Sequence, residues 1–413
     1  MFSNLKEITV RELARSSKIW FIVIAFLLVY PVFLQNFDSE VYSFGAPYII
    51  SKINVSELYI GLTASGYTAG IVVFSLFGGY LFDRVSPKGA VLIGLAIFSA
   101  FSGLTGIASD SLELVIFRIL DGVGVSIFQV SIASYLGDLF PSRRGKMLSL
   151  YILLGGLGLF AGPFIVAPFT NDIKLPFALA GIFGLIAVIL FLFLIPTKFK
   201  KPGEMEAHKF SLKALINRNV LLAAGSVGFF GVALFAEVSY VPLYFDDVLK
   251  FSSLYSTIAV SAFGIGAFVL AIPMGFISDK YGRKPLLIIF SIIQVLAGLV
   301  LFATRPDFAV ATSMNFLWGA GWGIYFMNLV AIAQDSVPEE TVGISVGMVY
   351  TTFNIGAIFG GPLMGSLILV SWTLAGVVSI SVISLFTLAF VLFIKEDKTK
   401  LLKKIKTRAT EVS

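Results

Sequence analysis

Residues 78–89 read GGYLFDRVSPKG, and residues 274–285 read MGFISDKYGRKP. The two stretches are 196 residues apart, and they place Asp83 on Asp279 and a glycine four residues before each acid, Gly79 and Gly275. Each follows a long apolar run and precedes another, so each is a short polar connection between two apolar helices. Three further landmarks superpose at nearly the same shift. RILDGVGVSIF at 118–128 falls on NFLWGAGWGIY at 315–325, Asp138 and Pro141 fall on Asp335 and Pro338, and Glu40-Val41 falls on Glu237-Val238. Polar landmarks recurring at one shift indicate an internal duplication.

The rest of the chain fits that duplication. It has 413 residues, of which 57% are hydrophobic and 13% charged, with a mean hydropathy of +0.94. A water-soluble domain of this size cannot bury so much apolar surface, because surface falls too slowly with volume. Lipid must therefore be the solvent for much of it. A spanning helix needs about 20 mostly apolar residues. On that criterion, spans are predicted near 20–49, 58–82, 89–108, 113–137, 146–168, 175–196, 219–245, 255–278, 285–303, 308–333, 342–368 and 371–394. The expected fold is an all-α membrane protein with 12 transmembrane helices in two pseudo-symmetric six-helix bundles. The bundles occupy 1–196 and 219–394, joined by a polar linker over 197–218 and followed by a basic tail over 395–413. Two parallel repeats of this kind are a transporter architecture, with the substrate site between them near mid-membrane.

Charge placement gives an orientation. The termini and the even-numbered loops carry 25 of the 30 Lys and Arg residues, the odd-numbered loops carry four, and Arg118 lies inside a helix. The positive-inside rule then predicts a multi-pass protein of the cell membrane with both termini cytoplasmic. The tenth loop, around Asp335, Glu339 and Glu340, is acidic and departs from the pattern. The basic N-terminal stretch leads into an apolar run too long for a cleaved signal, so the first helix is expected to be retained. The basic tail suits anionic lipid headgroups.

Composition also excludes functions. The chain has no cysteine and one histidine, His208, so a metal site is not expected. No phosphate-cradling Gly-Lys-Ser/Thr loop is present, which leaves ATP-driven transport without an engine. No nucleophile–base cluster marks an enzyme, and neither a cofactor nor a nucleic-acid partner is expected.

These residues resemble the major facilitator superfamily. Its loop signature, G-x-L-x-D-R-x-G-R-K, is matched by Gly79, Leu81, Asp83, Arg84 and Lys88, without the later glycine and arginine. The second copy adds Gly282, Arg283 and Lys284 to Gly275 and Asp279. The fourth span is similar to the family's R-x-x-x-G-x-G at Arg118, Gly122 and Gly124. The resemblance implies a conformational latch built from Gly79, Asp83, Arg84, Gly275, Asp279, Gly282 and Arg283. In it, Asp83 would face the positive start of the eleventh helix and Asp279 that of the fifth. Ordinary capping by a surface Asp is the alternative. Gly158-x-x-x-Gly162-Pro163 on the fifth span resembles the family's antiporter signature but ends in Val166 and Ala167. Close helix packing with a Pro bend explains it, and the matching Gly356-x-x-x-Gly360-Gly361-Pro362, without antiport.

Ionisable residues inside a membrane are costly and mark functional sites by default. Here they are Asp38, Glu40, Arg118, Asp121 and Glu237. Counted from the helix ends at 1.5 Å per residue, Asp38 lies about 27 Å along the first span and Arg118 about 8 Å into the fourth, entered from the other side. Both reach the outer half of the membrane, so Arg118 is expected to pair with Asp38 or Glu40. Asp121 shares a face with Arg118. Protonating the acid would free the arginine, a workable proton switch; a purely structural ion pair is the alternative. In the family the first, fourth, seventh and tenth helices line the cavity. There, Tyr42, Gln129, Tyr240, Asn315, Trp318, Trp322, Tyr325 and Asn328 are candidate substrate contacts, suited to hydrogen-bonded or ring-shaped solutes. The expected function is proton-coupled symport of a sugar or other small metabolite by a monomer working by alternating access. Proton-driven efflux of drugs or metabolites is the alternative.

Overall fold

The computed structural model describes residues 17–84, 87–139, 144–169, 172, 174–195, 216–338 and 341–396; within these helices, the side chains of 75–84, 87, 130, 133–139, 144–152, 271–272, 275–276, 279–280 and 342–344 lie outside the description. The helices follow one another as α1 (Lys18–Phe44), α2 (Glu57–Arg84), α3 (Pro87–Thr105), α4 (Ser111–Leu139), α5 (Arg144–Val166), α6 (Lys174–Leu194), α7 (Arg218–Leu243), α8 (Ser253–Tyr281), α9 (Arg283–Thr304), α10 (Phe308–Asp335), α11 (Val342–Ile368) and α12 (Trp372–Phe393). Among the described residues, nine helices are long and apolar enough to cross a membrane. The chain divides into two compact units, Met1–Glu206 and Ala207–Ser413. Most of the 197–218 linker, and the tail beyond Glu396, lie outside the described residues.

The ends are set by caps. Ser17 Oγ accepts from Trp20 N at 3.1 Å to start α1, and Asp307 Oδ1 accepts from Val310 N at 2.9 Å to start α10. The first span is interrupted: α1 stops at Phe44, and a short helix, Ala46–Ile53, resumes with Pro47 in its first turn. The proline has no amide to continue the ladder, so the helix restarts there. Likewise α7 loosens into a π-helical turn over Tyr244–Val248, and α12 carries another over Val377–Val382.

Pairing within each unit repeats. A Cβ on Gly70 of α2 would collide with the carbonyl oxygen of Ile119 on α4, and one on Gly122 of α4 with that of Tyr67 on α2. In the second unit, Gly266 of α8 stands in the same way on the carbonyl oxygen of Phe316, and Gly319 of α10 on that of Phe263. The four positions match at shifts of 196–197 residues, so the duplication read in the sequence is realised as two like helix seams. Small residues at such seams let backbones touch, as helix association in lipid requires. A second correspondence closes the far end of each unit. Lys88 Nζ donates to Leu192 O at 2.7 Å, and Lys284 Nζ donates to Leu392 O at 2.8 Å.

The first unit packs Leu28, Leu95, Phe98, Phe128 and Phe191 of α1, α3, α4 and α6 into one apolar core. Phe98 meets Phe128 edge-on at 5.7 Å. Outward faces are just as apolar: Ile182, Leu185 and Phe193 on α6, and Leu385, Phe386 and Phe393 on α12, are exposed. Bulky apolar side chains on both faces of a helix fit a lipid surround.

Candidate functional site

Two buried acids of the first unit gather around one guanidinium. Arg118 Nη1 donates to Asp38 Oδ2 and to Asp121 Oδ2, both at 2.6 Å, and all three side chains are sealed from solvent, at 2%, 0% and 0% exposure. Asp38 Oδ1 takes a further hydrogen bond from Ser102 Oγ of α3 at 2.5 Å. Helix geometry makes this cluster: Arg118 and Asp121 are three residues apart on α4 and share a face. Asp38 and Tyr42 are four apart on α1. The guanidinium lies between two rings, with Cζ 4.8 Å from the centre of Tyr42 and 4.4 Å from that of Tyr67. Such cation–π contacts gain strength when desolvated. Tyr42 is held in turn by its hydroxyl, which donates to Ile60 O at 3.1 Å.

Of the two partners expected for Arg118, the structure selects Asp38. Glu40 points elsewhere. Its side chain lies against α5, where a Cβ on Gly162 would come within 2.5 Å of Glu40 Cβ and 2.8 Å of Cγ. Among the described residues, its Oε2 is buried without a hydrogen-bond partner. The glycines of the G-x-x-x-G-P stretch thus seat α1: Gly158 meets Phe33 and Asn36, and Gly162 meets Glu40. Their counterparts on α11 seat α7, Gly356 against Gly228 and Gly360 against Val232.

The second unit places neutral groups where the first has charges. Asn315 stands at the repeat position of Arg118, and its Nδ2 donates to Ala259 O at 2.8 Å, while its Oδ1 has no donor among the described residues. Trp318 stands at the position of Asp121. It is fully buried, stacked on Phe230 at 6.1 Å, with no acceptor for its Nε1–H among the described residues. Tyr325 Oη shares a hydrogen bond with Ser226 Oγ at 2.6 Å, and its ring is 4.9 Å from Phe230. Asn328 Oδ1 accepts from Ser278 Oγ, and its Nδ2 donates to Ile324 O at 2.7 Å. Trp322 stacks on Phe263 at 6.1 Å, Tyr240 meets Trp372 edge-on at 6.4 Å, Glu237 is buried on α7, and Gln129 is half-buried on α4.

Gly79, Asp83, Arg84, Gly275 and Asp279 lie in the last turns of α2 and α8, but their side chains lie outside the description. Gly282 and Arg283 are described. Gly282 joins α8 to α9 at φ +97°, and Arg283 pairs with Asp335 at the end of α10. Glu396, beyond α12, accepts from Arg283 N at 2.7 Å and Lys284 N at 3.2 Å, capping the positive end of α9.

Sequence reading misses Ser102, Tyr67 and Glu396. Their only signals are a serine and a tyrosine within apolar runs and one acid at the head of a basic tail. Among the described residues, no group of His, Asp and Glu could hold a metal ion.

Two like-built helical units in one chain, one with an ion cluster sealed in its interior, are the plan of a membrane transporter. The Major Facilitator Superfamily model matches residues 28–360 and 255–413, and the chain belongs to that family. It is 28% identical over 388 residues to a hexuronate transporter of Bacillus subtilis (strain 168), covering 86% of this chain and 89% of that one. It is 23% identical over 321 residues to the MFS-type transporter YcaD of Salmonella typhi, covering 76% and 81%. Among solved structures, the nucleoside transporter NupG matches with a TM-score of 0.74 at 14% identity, over 90% of this chain and 99% of that one. A D-xylose-proton symporter matches at 0.72 and 17%, over 90% and 98%. At these identities the structural likeness speaks for the fold alone.

Proposed function

We propose that this transporter is a proton-coupled symporter that takes up a small hydroxylated solute, a sugar or sugar acid, by alternating access. One observation carries the reading: a single arginine held between two acids inside an apolar unit. Burying three ionisable groups is expensive unless they do work together. A proton taken up by one acid changes how Arg118 is shared between the two, and with it the strength of the α1–α4 contact, which ties a protonation to a change of packing. The neutral amide and aromatic groups of the second unit, Asn315, Trp318, Trp322, Tyr325 and Asn328 with Tyr240, are the substrate-facing candidates, together with Tyr42 and Gln129. They suit hydroxyls and rings. Glu237 and Glu40 are the remaining candidate proton or substrate acids. The hexuronate relative makes sugar acids the first class to try.

Both termini are placed in the cytoplasm by the distribution of Lys and Arg, the latch residues close that side, and the working unit is a monomer. The test is uptake of radiolabelled D-glucuronate, D-xylose and uridine into proteoliposomes. Symport makes one of them accumulate when the outside is acidic, and a protonophore abolishes the effect. Accumulation only against the proton gradient would instead favour efflux by antiport, and flux that merely equilibrates would remove coupling altogether.

A further inference from the structure

We propose that Asp121, and not Asp38, is the residue that carries the coupled proton, an inference that rests on the symport reading above. Within the sealed cluster two carboxylates face one guanidinium, so with both ionised the site is one positive charge short. Such a deficit in a low-dielectric interior is met by a cation, and a proton is the cheapest.

Arg118 faces Asp121 from its own helix; around that guanidinium stand Asp38 and Tyr42 of α1 and Tyr67 of α2, and Ser102 of α3 donates to Asp38. The remaining acid of α1, Glu40, is turned away onto Gly162 of α5. Hydrogen bonds distinguish the two acids of the cluster. Asp38 takes a donor on each oxygen, Ser102 on Oδ1 and Arg118 on Oδ2. Among the described residues, Asp121 takes Arg118 on Oδ2 alone, and its Oδ1 is buried without a hydrogen-bond partner. Donors stabilise the ionised form, so the carboxylate with fewer of them protonates first. One bare oxygen also suits a proton and not a metal cation such as sodium, which would need several oxygen ligands around it.

The step is simple in its balance. The Asp121 carboxylate takes a proton from water on the side then open and becomes a neutral acid; Arg118 remains paired with Asp38. The same O–H bond breaks when the site meets water on the other side.

Infrared difference spectroscopy of the purified full-length protein reads this without a substrate. At neutral pH, wild type minus Asp121→Asn is expected to show loss of the C=O stretch of a protonated acid. Loss of the paired stretches of an ionised carboxylate would overturn the proposal. Should Asp121→Asn fail to fold, Asp121→Glu replaces it: a shifted protonated-acid band supports the assignment, and a change confined to the carboxylate bands overturns it. In proteoliposomes with D-glucuronate, Asp121→Asn is expected to keep substrate exchange while gradient-driven accumulation falls to the equilibrium level. Wild-type accumulation in that variant would overturn the proposal. If the wild type itself shows no gradient-driven accumulation of any solute, the symport reading fails, and the infrared result alone decides where the proton sits.

Discussion

Arg118 and Asp38 meet through Nη1 and Oδ2 at 2.6 Å, joining α4 to α1 at a point with 2% and 0% solvent exposure. Removing one partner of such a pair costs far more than the pair is worth, because it strands a buried charge.

Arg118→Ala is therefore expected to destabilise the detergent-purified protein by about 3–5 kcal/mol and to abolish pH-driven accumulation. Asp38→Asn keeps the side chain's volume and one acceptor, so it should lose accumulation with the smaller drop in Tm. Thermal unfolding together with proteoliposome uptake checks both, and wild-type accumulation in both variants would remove the switch.

Two glycine-to-alanine changes should part company. A Cβ at Gly162 would press on Glu40 Cβ and Cγ, whereas one at Gly347 meets nothing within 4 Å. Gly162→Ala is expected to cost about 1–3 kcal/mol by overpacking. Gly347→Ala should be neutral or gain up to about 1 kcal/mol from helix propensity. Equal Tm values for the two would show that the α1–α5 contact does not constrain the fold.

Trp318 offers a different contrast. Its Nε1–H is buried without an acceptor among the described residues, so Trp318→Phe forfeits no hydrogen bond there, and its loss of stability, about 1–3 kcal/mol, is that of the cavity left in a fully buried site. If that N–H greets a substrate, the same variant weakens binding by about 1–3 kcal/mol. Ligand-induced thermal shifts across sugars, sugar acids and nucleosides, with Glu237→Gln run alongside, measure this. A panel response equal to wild type in both would take both residues out of the binding site.

Glu396 should matter for stability. It accepts from the first two amides of α9, so Glu396→Ala is expected to cost about 0.5–2 kcal/mol, the range of a lost helix cap. Thermal unfolding reads the loss, and an unchanged Tm would mean that the cap contributes nothing.

The span pattern and its duplication are legible in the chain because lipid imposes a length on every apolar segment and repeats preserve their polar landmarks. The seams at Gly70–Ile119 and Gly266–Phe316 follow from the same shift. Choosing between Asp38 and Glu40 is not legible. Two residues apart on a helix, they point about 200° apart, and only the rotation of α1 decides which one meets α4. That rotation is set by Gly158 and Gly162, whose partners on α1 no spacing rule names. Glu396 is hidden for another reason: its role depends on the chain folding back from α12 onto α9, a contact 113 residues distant in sequence.

The glycine seams limit how this molecule can change shape. Where the backbone of α2 rests on that of α4, and α8 on α10, the contact has no room even for one methyl group, so the paired helices are held close. Each pair is thus a stiff plank. Bending that a working cycle requires falls most readily where a helix is already weakened by an internal proline or a π turn: α1 at Pro31, α5 at Pro163, α7 at Pro242, α8 at Pro273 beyond its seam, α11 at Pro362 and α12 at Val377–Val382.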